Sequence, residues 1–310
     1  MGVKKPGIFE ANLIYLILGI TLLIIGYLVQ SREIYSGLLI TEYVLILLPN
    51  IIYLKARGYK LKDVLKLNPI GIKQIIIIIL SMIFAYPIAI FLNAIFLAII
   101  NSFSSAMPTS VPIPTNSFEF LISMFIIAIS PGICEEIMFR GTMFSAYEKL
   151  GHKKTIIITA ILFGVFHFNI LNFIGPAFLG VILGILVHKT NSIFSSILGH
   201  TLNNGIALTI GYFITKYSNE IDELAATSTN LTDSKQLLIS ILSLGFIALL
   251  SGVMLVVLLK SLSSNESNFD EFSISELSFI PERYRVVKYF PLVIVFITFI
   301  FLNYRMLFYV

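Results

Sequence analysis

Seven ionisable side chains fall inside long apolar segments of the chain, where a charge is costly. They are Glu42, Glu135, Glu136, Arg140, His167, His200 and Arg305. A charged side chain at the centre of a membrane helix costs about 2.5–3.5 kcal/mol on the insertion scale, whereas a leucine or isoleucine returns only about 0.3–0.6 kcal/mol. Ionisable residues in such positions usually face a bundle interior or a wet cavity. They are therefore candidates for catalysis, ion binding or proton transfer.

The spacing of these residues predicts which of them share a helix face. Glu136 and Arg140 are four residues apart, which suits an ion pair along one helix. Glu135 projects about 100° away from Glu136, because a helix has 3.6 residues per turn. His200 and Asn204 are also four apart, so they lie on one face of a predicted helix. The sequence thus predicts one paired carboxylate and one that is available for chemistry.

Two helices that meet near Gly151 would bring Glu135 and His167 to the same depth. Gly151 is a typical helix stop, and a lysine-rich turn follows it. Glu135 lies sixteen residues before Gly151 and His167 sixteen after it, about 24 Å along each helix. Pro131 and Gly132 are expected to kink or open the first helix just before Glu135 and to free backbone groups there.

The composition excludes a soluble domain. Of the 310 residues, 57% are hydrophobic and 12% are charged, and the mean hydropathy is +0.94. Soluble domains carry about 25% charged residues, so about half of the usual charge is missing. Disorder is excluded by the same numbers, and no long basic segment exists that could bind nucleic acid. The lone Cys134 excludes an intrachain disulfide.

An all-α, polytopic transmembrane bundle of about nine spans is the predicted fold, because each crossing needs about 20 mostly apolar residues. The candidate spans are Ala11–Gln30, Gly37–Leu54, Gln74–Ile100, Phe118–Lys149, Thr155–Phe173, Ile174–His188, Ser192–Phe213, Leu237–Leu259 and Tyr289–Phe308. No repeat and no low-complexity linker divides them. We therefore interpret residues 1–310 as a single membrane domain.

The lysines and arginines predict the orientation of this bundle. With a cytoplasmic N-terminus, sixteen of them fall on the inside and four on the outside, and Arg140 lies within a span. Such a bias sets topology, because basic loops stay in the cytoplasm. The segment Arg57–Lys73 is expected to lie along the cytoplasmic surface as a basic amphipathic helix.

Three motifs, each inside an apolar span, resemble those of the CPBP intramembrane protease family, which includes CAAX-processing and bacteriocin-processing (Abi) members. The motifs are Glu135-Glu136-Ile-Met-Phe-Arg140, Phe163-Gly-Val-Phe-His167 and His200-Thr-Leu-Asn-Asn204. They cover Pro131 to Asn204, about a quarter of the chain. The resemblance defines residues 118–213 as the catalytic core spans.

The resemblance implies peptide-bond hydrolysis inside the membrane. This reaction needs an activated water, a proton donor for the leaving amine and donors for the oxyanion. By resemblance, Glu135 with His167 activates the water, and His200 with Asn204 stabilises the oxyanion. A carboxylate in a cavity of low dielectric constant is a stronger base, which suits Glu135 to this role.

The resemblance leaves metal dependence open. Glu135, His167 and His200 offer the two-His-one-carboxylate set of a catalytic zinc site, and family members are often labelled metalloproteases. The sequence has no His-Glu-x-x-His helix, and the Asn204 amide is a poor zinc ligand but a good oxyanion donor. We favour a mechanism that requires no cofactor, with a divalent metal such as zinc as the alternative.

Some of these residues also have a purely structural interpretation. By resemblance, Glu136 and Arg140 support the site by holding their helix in place. A buried ion pair that only fixes the helix register explains the same two residues. Glu42, close to Pro49 and Asn50 in the second span, is interpreted as structural.

We expect an intramembrane endopeptidase that cuts a membrane-associated protein or peptide, of CAAX type or of bacteriocin or signal-peptide type. Its expected partners are this substrate and the lipid bilayer, without nucleic acid. The many Ile, Lys, Asn, Phe and Tyr residues favour an AT-rich genome and a bacterial plasma membrane. The alternatives are a non-catalytic bacteriocin immunity or scaffold membrane protein and a proton-coupled transporter, since ionisable residues in spans also mark ion pathways.

Overall fold

The computed structural model of the protein describes residues 4–106, 112–218, 233–262 and 286–309, and in these ranges it contains helices and no strand. The helices are α1 (Ile8–Gln30), α2 (Ile34–Ala56), α3 (Leu61–Val64), α4 (Ile72–Asn101), α5 (Ser117–Leu150), α6 (His152–Val165), α7 (Ile174–Thr190), α8 (Ile193–Lys216), α9 (Asp233–Ser261) and α10 (Phe290–Phe308). The predicted all-α fold is confirmed.

Seven stretches in the described residues are long and apolar enough to cross a membrane. They are α1, α2, α4, α5, Ile170–Thr190 around α7, Ile239–Ser261 within α9, and α10. The protein is therefore an integral multi-pass membrane protein, as predicted. The remaining two predicted spans correspond to α6, which has 14 residues, and to α8, whose His, Asn, Ser and Thr side chains make it more polar. The count of nine spans stays a prediction.

Short polar side chains begin the helices that position the site. Asn116 accepts hydrogen bonds from the backbone N–H groups of the first turn of α5, and Ser192 accepts one from Phe194 N at the start of α8. These oxygens satisfy N–H groups that have no partner within the helix. Gly151 ends α5 with a φ of 87°, a conformation that glycine adopts without strain. The helix stop predicted at this glycine is confirmed.

The predicted span Thr155–Phe173 is not one continuous helix. Helix α6 ends at Val165, and residues 166–169 form a turn in which Phe168 is buried with a φ of 50°. The chain then folds back so closely that a Cβ on Gly164 would lie 2.8 Å from the Phe173 ring. Asn169 begins the next turn by accepting a hydrogen bond from Leu171 N. His167 therefore lies in a turn inside the bundle.

Several helix ends meet at one end of the bundle. They are the ends that the sequence predicts to lie on the side with most of the lysines and arginines. Lys4 Nζ donates to the Arg57 carbonyl, Asn12 Nδ2 donates to the Lys288 carbonyl, and Lys189 Nζ donates to the carbonyl of residue 262. The imidazoles of His152 and His188, at the start of α6 and near the end of α7, stack 4.6 Å apart. The cytoplasmic placement of this end stays a prediction, and Arg283 and Arg285 lie outside the described residues.

The segment Arg57–Lys73 is not a surface helix, contrary to expectation. Only Leu61–Val64 is helical, and the chain then turns at Lys66, which has a φ of 50° and is buried. The Lys66 carbonyl accepts from Ile193 N at 3.1 Å, and Asn68 Nδ2 donates to the Asn191 carbonyl at 2.7 Å. These contacts to the start of α8 hold the segment against the bundle, so it cannot lie free on the membrane surface.

Candidate active site

The helical turn with both glutamates lies between two π-helical stretches of α5. Residues Ser130–Glu136 are α-helical, whereas Met124–Ile129 and Ile137–Met143 are π-helical. Such stretches are frequent at functional sites. Pro131 lies in the first turn of the α-helical part, where a missing N–H costs least. The opening predicted at Pro131 therefore takes the form of a change in helix type, and α5 continues without a break.

A backbone carbonyl four residues before Pro131 accepts a hydrogen bond from α8. This carbonyl belongs to Ile127, in the π-helical stretch that precedes the α-helical turn with both glutamates. Asn204 Nδ2 donates to this carbonyl at 3.1 Å, and Asn204 Oδ1 accepts from Asn203 Nδ2 at 3.1 Å. These two bonds fix the orientation of the Asn204 amide and leave one of its N–H groups for a further acceptor.

Glu136 and Arg140 form the predicted ion pair, and both side chains are fully buried. Arg140 Nη1 lies 2.8 Å from Glu136 Oε1, and Arg140 Nη2 donates to the Gly180 carbonyl of α7 at 3.1 Å. The guanidinium also lies 4.6 Å from the centre of the Phe163 ring, which is a cation–π contact. The pair thus joins α5 to α6 and α7.

His200 is the residue that connects this ion pair to Glu135. Its Nδ1 lies 2.9 Å from Glu136 Oε1, and its Nε2 lies 3.9 Å from Glu135 Oε2. The imidazole is almost completely buried. Because an ionised carboxylate only accepts hydrogen bonds, the Glu136 contact assigns a proton to Nδ1 of His200. The other ring nitrogen then faces Glu135.

Glu135 is the more accessible of the two neighbouring glutamates. Its side chain is 13% exposed, whereas that of Glu136 is 0% exposed. Within the part of the chain that the structure describes, Glu135 makes no hydrogen bond, and its one ion-pair contact is the 3.9 Å approach to His200. One carboxylate is thus held by partners and the other is accessible, and their catalytic roles stay predictions.

His167 reaches the cluster through Phe163. Its Nδ1 lies 3.1 Å from the Phe163 carbonyl, so this nitrogen carries the proton of the neutral ring. The Phe163 ring contacts His167 and His200 edge-on, with centroids 5.6 and 5.5 Å away. No hydrogen bond or ion pair joins His167 to Glu135 in the described ranges. The structure thus brings four ionisable residues into one cluster, namely Glu135, Glu136, Arg140 and His200. His167 is linked to this cluster only through its contact with the Phe163 ring.

Gly132 lets α5 and α8 approach each other at the site. A Cβ at this position would lie 2.3 Å from Thr201 Oγ1 and 3.2 Å from the Thr201 backbone nitrogen. The first distance is too short for real atoms and the second is tight, so a side chain at this position would require Thr201 or its helix to move. Gly132 lies three residues before Glu135, and Thr201 follows His200 directly. The glycine therefore sets the distance between the two ionisable residues.

We expect Gly132→Ala to destabilise the protein by about 1–3 kcal/mol, the usual cost of overpacking, and to reduce activity. The thermal unfolding midpoint in detergent measures this loss. Adding Thr201→Ala should recover part of it, because the worst clash is with Thr201 Oγ1. Gly252→Ala is the matched control, since its Cβ would meet its nearest neighbour at an ordinary 4.0 Å. Equal midpoints for both glycine variants would contradict the role of Gly132.

The side chains at the site do not assemble a three-ligand zinc centre. A catalytic zinc ion needs three protein ligands at about 2.0–2.2 Å from one point. Glu135 and His200 approach each other, but Phe163 separates His200 from His167. Among the described residues, no group of three His, Cys, Asp or Glu side chains could hold a metal ion. We therefore assign no step of the reaction to a metal.

Glu42, for which the sequence favours a structural role, lies near the site. It is 6% exposed in α2, and its charge interacts with Glu135. No sequence pattern predicts this proximity, because nothing in the sequence shows which face of α2 meets α5. Arg305, the remaining ionisable candidate, is exposed in the last turn of α10. Cys134 is buried and forms no disulfide, and the charges of Glu42 and Glu135 act on its thiol.

Fold and site together define a helical membrane protein with a carboxylate–imidazole cluster buried between its helices. Residues 117–206 match the family described as type II CAAX prenyl endopeptidase Rce1-like. This match confirms the resemblance to CPBP intramembrane proteases. At the level of the family, it supports a protease, namely an intramembrane endopeptidase of CAAX type. No curated protein and no solved structure matches the chain.

Proposed function

We propose that the protein hydrolyses a peptide bond of a membrane-associated protein or peptide with a water that Glu135 activates. The observation that carries this proposal is the approach of Glu135 Oε2 to His200 Nε2, at 3.9 Å, with Glu135 partly accessible. This distance is too long for a direct hydrogen bond and leaves room for a bridging water. The substrate is of CAAX type or of bacteriocin or signal-peptide type.

In the first step, the oxygen of the bridging water attacks the scissile carbonyl carbon, and Glu135 takes the proton. Glu135 is suited to this because its carboxylate is partly accessible and makes no hydrogen bond within the described residues. His167 can assist, because its Nδ1–H is directed at the Phe163 carbonyl and its Nε2 keeps a lone pair for water. The C–N bond then breaks, and the proton held by Glu135 passes to the leaving nitrogen.

The oxyanion formed in the first step needs hydrogen-bond donors. Asn204 has one N–H left after its bond to the Ile127 carbonyl. His200 serves as a second donor from Nε2 when it enters the reaction with a proton on each ring nitrogen, and its Nδ1 is held by Glu136 at 2.9 Å. In this proposal, Glu136 and Arg140 are positioning residues, because they hold the His200 ring and do not reach the substrate.

Comparative peptidomics of cells that carry the wild-type protein or Glu135→Gln tests this function. We expect a membrane-associated precursor to accumulate in the variant and its shorter product to disappear. Identical peptide profiles, with the variant present in the membrane at the wild-type level, would argue against proteolysis. If Glu135→Gln instead complements an immunity phenotype fully, the non-catalytic scaffold is the better explanation.

A further inference from the structure

Glu42 is a buried carboxylate without a hydrogen-bond donor in the part of the chain that the structure describes. It lies in the π-helical stretch Ile40–Leu47 of α2, which packs against the α-helical turn of α5 that carries Glu135. The next residue, Tyr43, is hydrogen-bonded through its OH to Ser130 Oγ at 3.3 Å. Among the described residues, no hydrogen-bond donor contacts Glu42, and its Oε2 is completely enclosed.

Three other acidic side chains that are wholly or partly buried have donors. Glu136 is paired with Arg140 at 2.8 Å. Glu148 is paired with Lys66 at 2.8 Å, and Glu10 accepts from Tyr53 OH at 2.9 Å. A buried carboxylate without such a partner is unfavourable, so a protein that keeps one usually gives it a ligand. Glu42 differs from these three residues, because no donor among the described residues contacts it.

The charged neighbour of Glu42 is a second acceptor, not a donor. Its charge interacts with that of Glu135, and the charges of both act on the Cys134 thiol. Within the described ranges, neither carboxylate has a hydrogen bond, and the two residues lie on helices that pack against each other. Two adjacent acceptors without donors are complementary to a ligand with N–H groups. A peptide chain has such a group at every non-proline residue.

We propose that Glu42 is a substrate-positioning residue whose carboxylate accepts a hydrogen bond from a backbone N–H next to the scissile bond. The proposal rests on the proposed function, since Glu135 brings the scissile carbonyl to this place. Consecutive residues of an extended peptide are about 3.3 Å apart, so an N–H within one residue of that carbonyl lies close to the neighbouring carboxylate. Glu42 thereby fixes the register of the substrate relative to Glu135.

Peptide binding to the full-length protein in detergent tests this role. The probe is a fluorescent farnesylated peptide with a C-terminal CAAX box, and the parent is Glu135→Gln, which binds without cleaving. Adding Glu42→Met should weaken binding about threefold to tenfold, as expected for one lost hydrogen bond. Tyr43→Phe is the matched control, since it removes the contact to Ser130 and keeps the carboxylate, and it should leave the affinity unchanged.

Modified peptides identify the donor. N-methylation of one amide beside the scissile bond should cost the parent as much affinity as Glu42→Met does, and it should cost nothing further when both changes are combined. If replacing a basic side chain of the peptide by norleucine shows this pattern instead, the donor is a side chain and the backbone assignment is wrong. In the protein that retains Glu135, Glu42→Met should raise KM more than it lowers kcat.

The unfolding midpoint of the ligand-free protein provides a readout that does not depend on the substrate. Glu42→Met should leave it unchanged or raise it, because the carboxylate has no hydrogen-bond partner among the described residues. A fall as large as that caused by Arg140→Met, or an unchanged peptide affinity, would overturn the proposal while wild-type cleavage keeps the proposed function intact. If the wild-type protein cleaves no peptide, the proposed function fails, and this proposal fails with it.

Discussion

Glu135→Gln should lower the rate of peptide hydrolysis by about 10²- to 10⁴-fold, the range that general-base groups contribute. Glutamine has the same shape but cannot take a proton from water, so binding should persist while kcat falls. Glu135 makes no hydrogen bond in the described part of the chain, and its loss should therefore leave the unfolding midpoint near the wild-type value. The measurement is single-turnover cleavage of a labelled membrane peptide by the purified protein.

Glu119→Gln is the control for this experiment, because Glu119 lies in the first turn of the same helix and bonds to Thr115, far along the chain from the site. It should cleave at the wild-type rate. Retained cleavage by Glu135→Gln would remove the proposed base. Exhaustive chelation, followed by elemental analysis of the preparation, forms a second arm. We expect full activity without bound metal, and activity that returns only with added zinc would contradict the metal-independent mechanism.

Arg140→Met should reduce the free energy of unfolding by about 3–5 kcal/mol, the usual cost of removing one partner of a buried ion pair. The guanidinium is fully buried, and its loss removes the arginine donor from the Glu136 carboxylate and from the Gly180 carbonyl. Reversible unfolding in mixed micelles measures this change. Arg57→Met is the control: Arg57 pairs with Glu10, but its side chain is 55% exposed, so the loss there should be about 0–1 kcal/mol.

The double variant Glu136→Met with Arg140→Met separates pairing from other contributions. It should lose less stability than the sum of the two single variants, because no unpaired charge remains buried. His200 loses its 2.9 Å contact in this variant, so we expect no recovery of activity. Additive losses of stability would mean that the two side chains contribute independently and would contradict the ion-pair role.

The sequence predicts those parts of the site that depend on spacing within one helix. The pairing of Glu136 with Arg140 follows from their separation of four residues, and the stop at Gly151 follows from residue type. The contact between His200 and Glu136 does not follow, because spacing along a helix does not show which helix its face meets. The proximity of Glu42 to Glu135 was missed for the same reason.

The sequence also fails where tertiary packing interrupts a regular helix. The apolar run Thr155–Phe173 has the composition of a full span, but the fold-back of Phe173 onto Gly164 ends α6 at Val165. Hydropathy measures the average of a window and is insensitive to such a turn. The family match at residues 117–206 includes this turn and both motif helices, but it extends neither to α1–α4 nor to α9 and α10.

The short length of α6 has a consequence for the lipid around the protein. Fourteen residues span about 21 Å, whereas the hydrocarbon core of a bilayer is about 30 Å thick. Ile157 and Ile161 on α6 are exposed, so this helix contributes to the outer surface of the bundle. Lipids beside it must thin or bend to match a short helix. The depth of the turn with His167 should therefore depend on the thickness of the bilayer. Thicker membranes should bury this turn more deeply.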